Sequence, residues 1–391
     1  MGLLFFATTI NYLDRAVLGV LLPEIRKDFH FTLETYGNIQ MLFQIAYAAG
    51  SIFGGKLLDS MGTKKGFGIA AVIWSLAATL NAWARNAIQF GALRALLGLG
   101  ESPNFPACNK AIAEWFKPGE RAMAMGVVNF APNLANIVGP PIFIWIAIMF
   151  GWQMCFLMMG ALGLIWLPLW YLYCRLPQQT SQISKTSKVS LSIVLKHKQA
   201  WGYAWAKFLT DPVWWFYLFW LPTYLSDVRH FTPSQRGTTL TIIYSISGIG
   251  ALAGGACSSF LIKRGWQLGK ARKTTMLMCV LVIPACTLGV VVKNSALAIV
   301  LFGLATAAHQ AWMTNLFTTP SDVFPHQAVG TANGFGVSMG AIGGAIFSAF
   351  IPGHLIPIVG YVPVLMTMSF FYVIAWWLVH KTMGNLEMVS L

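Results

Sequence analysis

Asp14 and Arg15 stand side by side in one apolar stretch, and Arg94 and Glu101 lie seven residues apart in another. Seven residues is two helical turns, so Arg94 and Glu101 share a face if that stretch is a helix. Inside hydrocarbon an ionisable side chain costs about 3 kcal/mol unless it is paired or faces a water-filled cavity. Two acids and two arginines can satisfy that demand by neutralising one another, which is the purely structural reading. The functional reading adds a cycle. A carboxylate in a poorly hydrated site is pushed towards its neutral form by burial and held charged by a nearby guanidinium. An anion arriving at that guanidinium therefore frees the acid to take a proton. Arg suits the anion because its planar fork matches a carboxylate with two parallel hydrogen bonds. Two intramembrane pairs exceed what helix packing requires, so coupling is the favoured reading.

Neutral polar residues in neighbouring stretches could meet the hydroxyls of a polyol: Tyr12, Gln40, Gln44, Asn129, Asn133 and Asn136, with His309, Gln310 and Asn315 further on. Each taken singly could equally be a hydrogen bond between helices. Trp214 and Trp215 offer ring faces for a sugar, or bulk at the lipid boundary. We place Trp214 in the site. Lys207 and Asp211, four apart, read as a self-neutralising pair on one helix face. His309 reads as a satisfied buried histidine rather than a proton relay.

These residues need elements to position them, and the composition says what those elements are. Of 391 residues 57% are hydrophobic and only 10% charged, well below the roughly 25% charged of a water-soluble domain. The apolar residues fall in runs of about 20, enough to cross about 30 Å of hydrocarbon as a helix. Twelve spans are predicted: 3–22, 37–58, 67–85, 88–113, 122–149, 152–174, 199–226, 237–262, 273–292, 295–317, 328–352 and 357–380. Met1 runs directly into the first, with no small-residue cleavage pattern, so that stretch is read as a span and not a leader. With the termini inside, sixteen Lys and Arg residues fall on the inner loops and ends, against Arg26, Lys27, Arg85, Arg229, Arg236 and Lys293 outside. Both termini are therefore expected in the cytoplasm. The net charge of +14 follows from that topology and from contact with anionic lipid, without a nucleic-acid partner.

The sequence divides into residues 1–174, a Ser-, Thr-, Gln- and Lys-rich stretch 175–198 read as a cytoplasmic linker, and 199–391. The two long parts repeat one another weakly. Glu114-Trp-Phe-Lys-Pro followed by Gly126 parallels Ser321-Asp-Val-Phe-Pro followed by Gly330. Gly54-Gly55 to Lys64-Lys65 likewise parallels Gly254-Gly255 to Lys263-Arg264. Duplicated halves about a midplane site are a transporter architecture. Six cysteines show neither a CxxC pair nor histidine at metal spacing, so free thiols and no metal are expected. Gly50 to Lys56 meets most of a P-loop pattern, but Leu57 stands where Ser or Thr is needed and the segment lies in a span, so nucleotide binding is rejected.

The loop Gly55-Lys-Leu-Leu-Asp59-Ser-Met-Gly62-Thr-Lys64-Lys65 resembles the signature loop of the major facilitator superfamily, although Ser60 and Thr63 stand where a basic residue is common. Asn11-Tyr-Leu-Asp-Arg-Ala-Val-Leu-Gly19 and Leu93-Arg-Ala-Leu-Leu-Gly-Leu-Gly-Glu-Ser-Pro-Asn-Phe-Pro106 resemble its anion:cation symporter branch over nearly the whole chain. Lys207-Phe-Leu-Thr-Asp211-Pro-Val-Trp214-Trp215 is similar to a segment of the bacterial hexuronate transporters in that branch. The vesicular glutamate transporters of the branch carry an Arg in span seven near Pro212 that is missing here, which argues against amino-acid dicarboxylates.

The resemblance implies an all-α integral membrane protein whose twelve transmembrane helices form two pseudo-symmetric six-helix bundles, the major facilitator fold. It implies that Arg15 contacts the substrate carboxylate, that Asp14 and Glu101 carry the coupling proton, and that Tyr12 and Arg94 line the site. Gly55, Asp59 and Gly62 would form a gate. The expected activity is proton-coupled import of an organic anion, a hexuronate or related sugar acid, across a bacterial inner membrane by a monomer with no cofactor. A sugar-acid sensor, or a uniporter or exchanger of aldonates or tartrate, are the alternatives. A membrane enzyme is not expected, since no nucleophile with its base is found.

Overall fold

A computed structural model describes residues 1–116, 120–174, 190–384 and 386–389, with the side chains of Gly55 and Asp59 outside the described set. Most of the linker stretch, residues 175–189, also lies outside it. The described chain is helical: α1 Gly2–Phe29, α2 Leu33–Asn81, α3 Ala87–Glu101, α4 Asn104–Trp115, α5 Arg121–Phe150, α6 Trp152–Tyr173, α7 Leu191–Val194, α8 Lys198–Asp227, α9 Pro233–Lys263, α10 Leu268–Cys286, α11 Ser295–Leu316, α12 Thr319–Val323, α13 His326–Gly343, α14 Ile351–Val359 and α15 Tyr361–Thr382. Eight described helices, or helices joined end to end, are long and apolar enough to cross a membrane.

The twelve spans are distributed over these helices in ways that local chemistry explains. At about 1.5 Å per residue, the 49 residues of α2 are too long for one crossing. Gly62 breaks the run with φ 77° and ψ 159°, a backbone conformation that favours glycine, so spans two and three meet there. Span four is divided by Ser102 and Pro103 into α3 and α4. Span eleven continues from α13 through a π-helical turn, Gly344–Phe350, into α14.

Contacts gather the chain into two units, Met1–Ser184 with Leu218–Thr241, and Lys185–Tyr217 with Ile242–Leu391. The tip of the α8–α9 hairpin thus belongs to the first unit and the remainder of both helices to the second.

Within the first unit α2 packs on α3 through glycine. A Cβ on Gly98 would stand 2.5 Å from the carbonyl oxygen of Phe43, and one on Gly100 would stand 2.7 Å from the amide nitrogen of Trp74. Backbones this close hold the next residue, Glu101, at a fixed depth. Asn86 caps the start of α3 by accepting from the Gln89 amide at 2.9 Å. Cys108, Cys155, Cys174, Cys257 and Cys279 are free thiols, and the Cys286 side chain lies outside the described set.

Candidate functional site

In α1, Asn11, Asp14 and Arg15 recur at spacings of three and four and are all buried. Arg15 donates from Nε to Oε2 of Glu101 at 2.6 Å, both side chains being at most 1% exposed. It also donates from Nη2 to Oδ1 of Asn11 at 2.9 Å. Its guanidinium lies against the rings of Tyr12 and Tyr47, 4.6 and 4.4 Å from their centroids. An acid, an amide and two aromatic faces therefore fix the fork in position.

Arg94 is buried as well, but it does not reach an acid: its Nη1 donates to the main-chain carbonyl of Asp14 at 3.0 Å. Its Nε and Nη2, both carboxylate oxygens of Asp14 and Oε1 of Glu101 are buried without a hydrogen-bond partner. The four charges balance and share one another's fields, yet they are under-bonded. Buried polar atoms are normally paired, so this cluster has spare capacity to bind an oxygen-rich ligand and to hold protons.

The other expected site residues fall at varied depths. Gln40 donates from Nε2 to the Tyr36 hydroxyl at 2.9 Å, and that hydroxyl donates to the Phe219 carbonyl at 3.0 Å. Gln44 is buried, and Tyr12 is half-buried with its ring edge-on to Phe105. Asn129 is exposed on α5, whereas Asn136 is buried with both amide atoms lacking a partner. In the second unit Trp214 stacks on His309, centroids 5.4 Å apart and planes 11° apart, so the imidazole occupies one indole face. His309 in turn pairs through Nδ1 with the Tyr372 hydroxyl.

Of the residues expected to form a gate, Gly62 makes the bend in α2. Nearby, Lys110 donates to the Leu58 carbonyl at 2.7 Å and Thr63 donates to Glu114 at 2.8 Å, tying the bend to α4. No group of three or more metal-ligating side chains occurs among the described residues.

Asn11, Phe43 and Tyr47 also surround Arg15, although residue type alone does not single them out. Their signal was periodicity. Asn11 is one turn before Arg15, and Tyr36, Gln40, Phe43, Gln44 and Tyr47 recur at the spacing of one helix face.

The family model described as Major Facilitator Superfamily matches residues 4–348. The chain belongs to the major facilitator superfamily. This facilitator is a multi-pass membrane protein and a transporter, not an enzyme. It is 28% identical to the hexuronate transporter of Escherichia coli (strain K12) over 95% of its own length and 90% of that protein's. With the hexuronate transporter of Bacillus subtilis (strain 168) the identity is 31%, covering 85% and 82% of the two chains. Among solved structures, the crystal structure of a D-xylose-proton symporter superposes with a TM-score of 0.80 at 15% identity, over 98% of this chain and 97% of that one. At that identity the match speaks for the twelve-helix, two-bundle fold of this facilitator alone.

Proposed function

We propose that this facilitator imports an organic anion, a hexuronate or related sugar acid, with a proton across the bacterial inner membrane. It acts as a monomer with both termini in the cytoplasm. The observation that carries this reading is the setting of Arg15, held by Glu101, Asn11 and two tyrosine rings, beside an acid with an unused oxygen. The substrate carboxylate takes the fork from Glu101, and Glu101 takes a proton, so one anion and one proton enter with no change in the charge of the site. Asp14 shares the coupling charge with Glu101, and Arg94 balances the two acids. Gln40, Gln44, Tyr12, Asn129 and Trp214 meet hydroxyls, and Gly55, Asp59 and Gly62 form the gate on the cytoplasmic side. The hexuronate transporters among its relatives support the substrate class.

Alternating access is supported at the C-terminal end of α1. There Glu24 pairs with Arg236 at 2.5 Å and Arg26 with Asp227 at 2.8 Å, holding the α8–α9 tip. Beside these pairs a cavity of about 750 Å³ is lined by Glu24, Arg26, Lys27, His30, Asp227 and Arg236. In the proposed orientation this is the periplasmic end, where the two ion pairs fasten the tip to α1 and Lys27 adds a positive charge beside them.

The test is uptake of labelled D-glucuronate into vesicles under an imposed inward proton gradient, with and without a protonophore. Accumulation that the protonophore abolishes is the expected result. Uptake indifferent to the protonophore would make the protein a uniporter, and absence of uptake would remove the substrate assignment.

A further inference from the structure

The second unit carries an ion pair of its own, built on a buried lysine. Lys207 and Asp211, one turn apart on α8, stand 2.7 Å apart, with Lys207 2% and Asp211 14% exposed. The ammonium lies 4.1 Å from the ring centroid of Phe317. An ammonium has three N–H donors, and among the described residues Asp211 is the acceptor it meets. Oδ1 of Asp211 is buried without a partner. The pair thus shares three traits with Arg15 and Glu101: a buried cation, an aromatic face against it and one unused carboxylate oxygen.

The neighbouring helix is shaped around this acid. A Cβ on Gly340 of α13 would come within 2.0 Å of Asp211 Oδ2, and Gly336 and Gly343 meet Tyr203 and the Phe208 carbonyl in the same way. Of the two charged groups Asp211 is the more exposed, so the acid is the member that a proton reaches. The other titratable groups about the pair are Tyr203 on α8, Tyr372 on α15 and His309 on α11. The two tyrosines lie in the field of Asp211 and the histidine in that of Lys207. Folding does not require such a pair, because buried ion pairs can often be exchanged for apolar residues without loss of stability.

We infer that Asp211 is a further proton-carrying acid of this transporter and that Lys207 is the oxygen-binding cation it controls. One proton enters on Asp211 as its bond to Lys207 breaks, and the freed N–H groups donate to carboxylate or hydroxyl oxygens of a sugar acid. Lys207 is then a substrate-binding residue of the second unit, and Asp211 sets when it is free. The inference rests on the sugar-acid reading above.

The experiment counts protons taken up per ligand bound by the purified full chain in unbuffered detergent solution with a pH indicator. The ligands are D-glucuronate and D-glucarate, and the proteins are the parent, Glu101→Gln, Asp211→Asn and the charge-free double variant Lys207→Met/Asp211→Leu. Relative to the parent, Asp211→Asn is expected to lower the count by about one, while the double variant weakens binding about tenfold or more, the scale of a lost charge-assisted hydrogen bond. A larger loss for D-glucarate than for D-glucuronate identifies a carboxylate as the group on Lys207, and equal losses identify hydroxyls. A double variant with the parent's affinity and proton count overturns the inference, and because it leaves no unpaired charge it serves even where Asp211→Asn does not fold. Should the count depend on Glu101 alone, this inference falls and the sugar-acid reading stands. If the parent binds neither ligand, both fall.

Discussion

Nε of Arg15 stands 2.6 Å from Oε2 of Glu101, while the other carboxylate oxygen of Glu101 is buried with no partner. One oxygen is spent on the cation and one is free, so the acid can exchange its bond to Arg15 for a bond to a proton. Replacing Glu101 by Gln keeps the shape and removes the proton. Proton-driven accumulation is expected to be lost while exchange of labelled for unlabelled substrate continues. Uphill uptake at the parent's level would exclude Glu101 from coupling.

Arg15 answers to the same geometry from the other side. Arg15→Met leaves Glu101 as an uncompensated buried charge, a loss of about 3–5 kcal/mol, and thermal unfolding in detergent should show it as a lowered melting temperature. Arg15→Met/Glu101→Leu removes both charges and is expected to recover the melting temperature without recovering transport. A double variant that transports would show the pair to be packing only.

The α8–α9 tip makes a prediction about conformation. Arg236 and Glu24 meet at 2.5 Å beside the cavity that Ser226 lines. With Ser226→Cys as a thiol probe, Arg236→Gln is expected to speed labelling several-fold by releasing the tip, and the charge exchange Glu24→Arg/Arg236→Glu to bring the rate back towards the parent's. Equal labelling in all three proteins would exclude the pair as a latch.

Gly98 tests the depth at which Glu101 is held. A Cβ there meets the Phe43 carbonyl oxygen at 2.5 Å, so Gly98→Ala must push α3 away from α2, at about 1–3 kcal/mol. Uptake should fall with a modest loss of stability. Gly126→Ala is the control, because a Cβ there meets nothing within 4 Å.

Much of the fold was legible in the chain. Long apolar runs separated by polar or Gly/Pro clusters mark the spans, because a helix in lipid must satisfy its own backbone and present apolar side chains for a fixed length. Where those runs bend was less legible. The break at Gly62 coincides with a predicted loop, but the continuous α2 and the π-helical turn after α13 depend on what packs alongside. The local pair Lys207–Asp211 followed from its spacing, since four residues on one helix are neighbours whatever surrounds them.

The membrane as solvent, the buried charges and the candidate acids and cations were determined by the sequence alone, because hydropathy and ionisation are properties of residue type. Tertiary structure decided the partners. Arg15 took Glu101, 86 positions away, and Arg94 took the backbone of Asp14, leaving the Asp14 carboxylate without a hydrogen bond. Residue types allowed either arginine to serve either acid. The choice depends on the depth and rotation at which α1, α2 and α3 pack, set by close backbone contacts such as Gly98 on Phe43 and Gly100 on Trp74, which spacing along one chain segment does not encode.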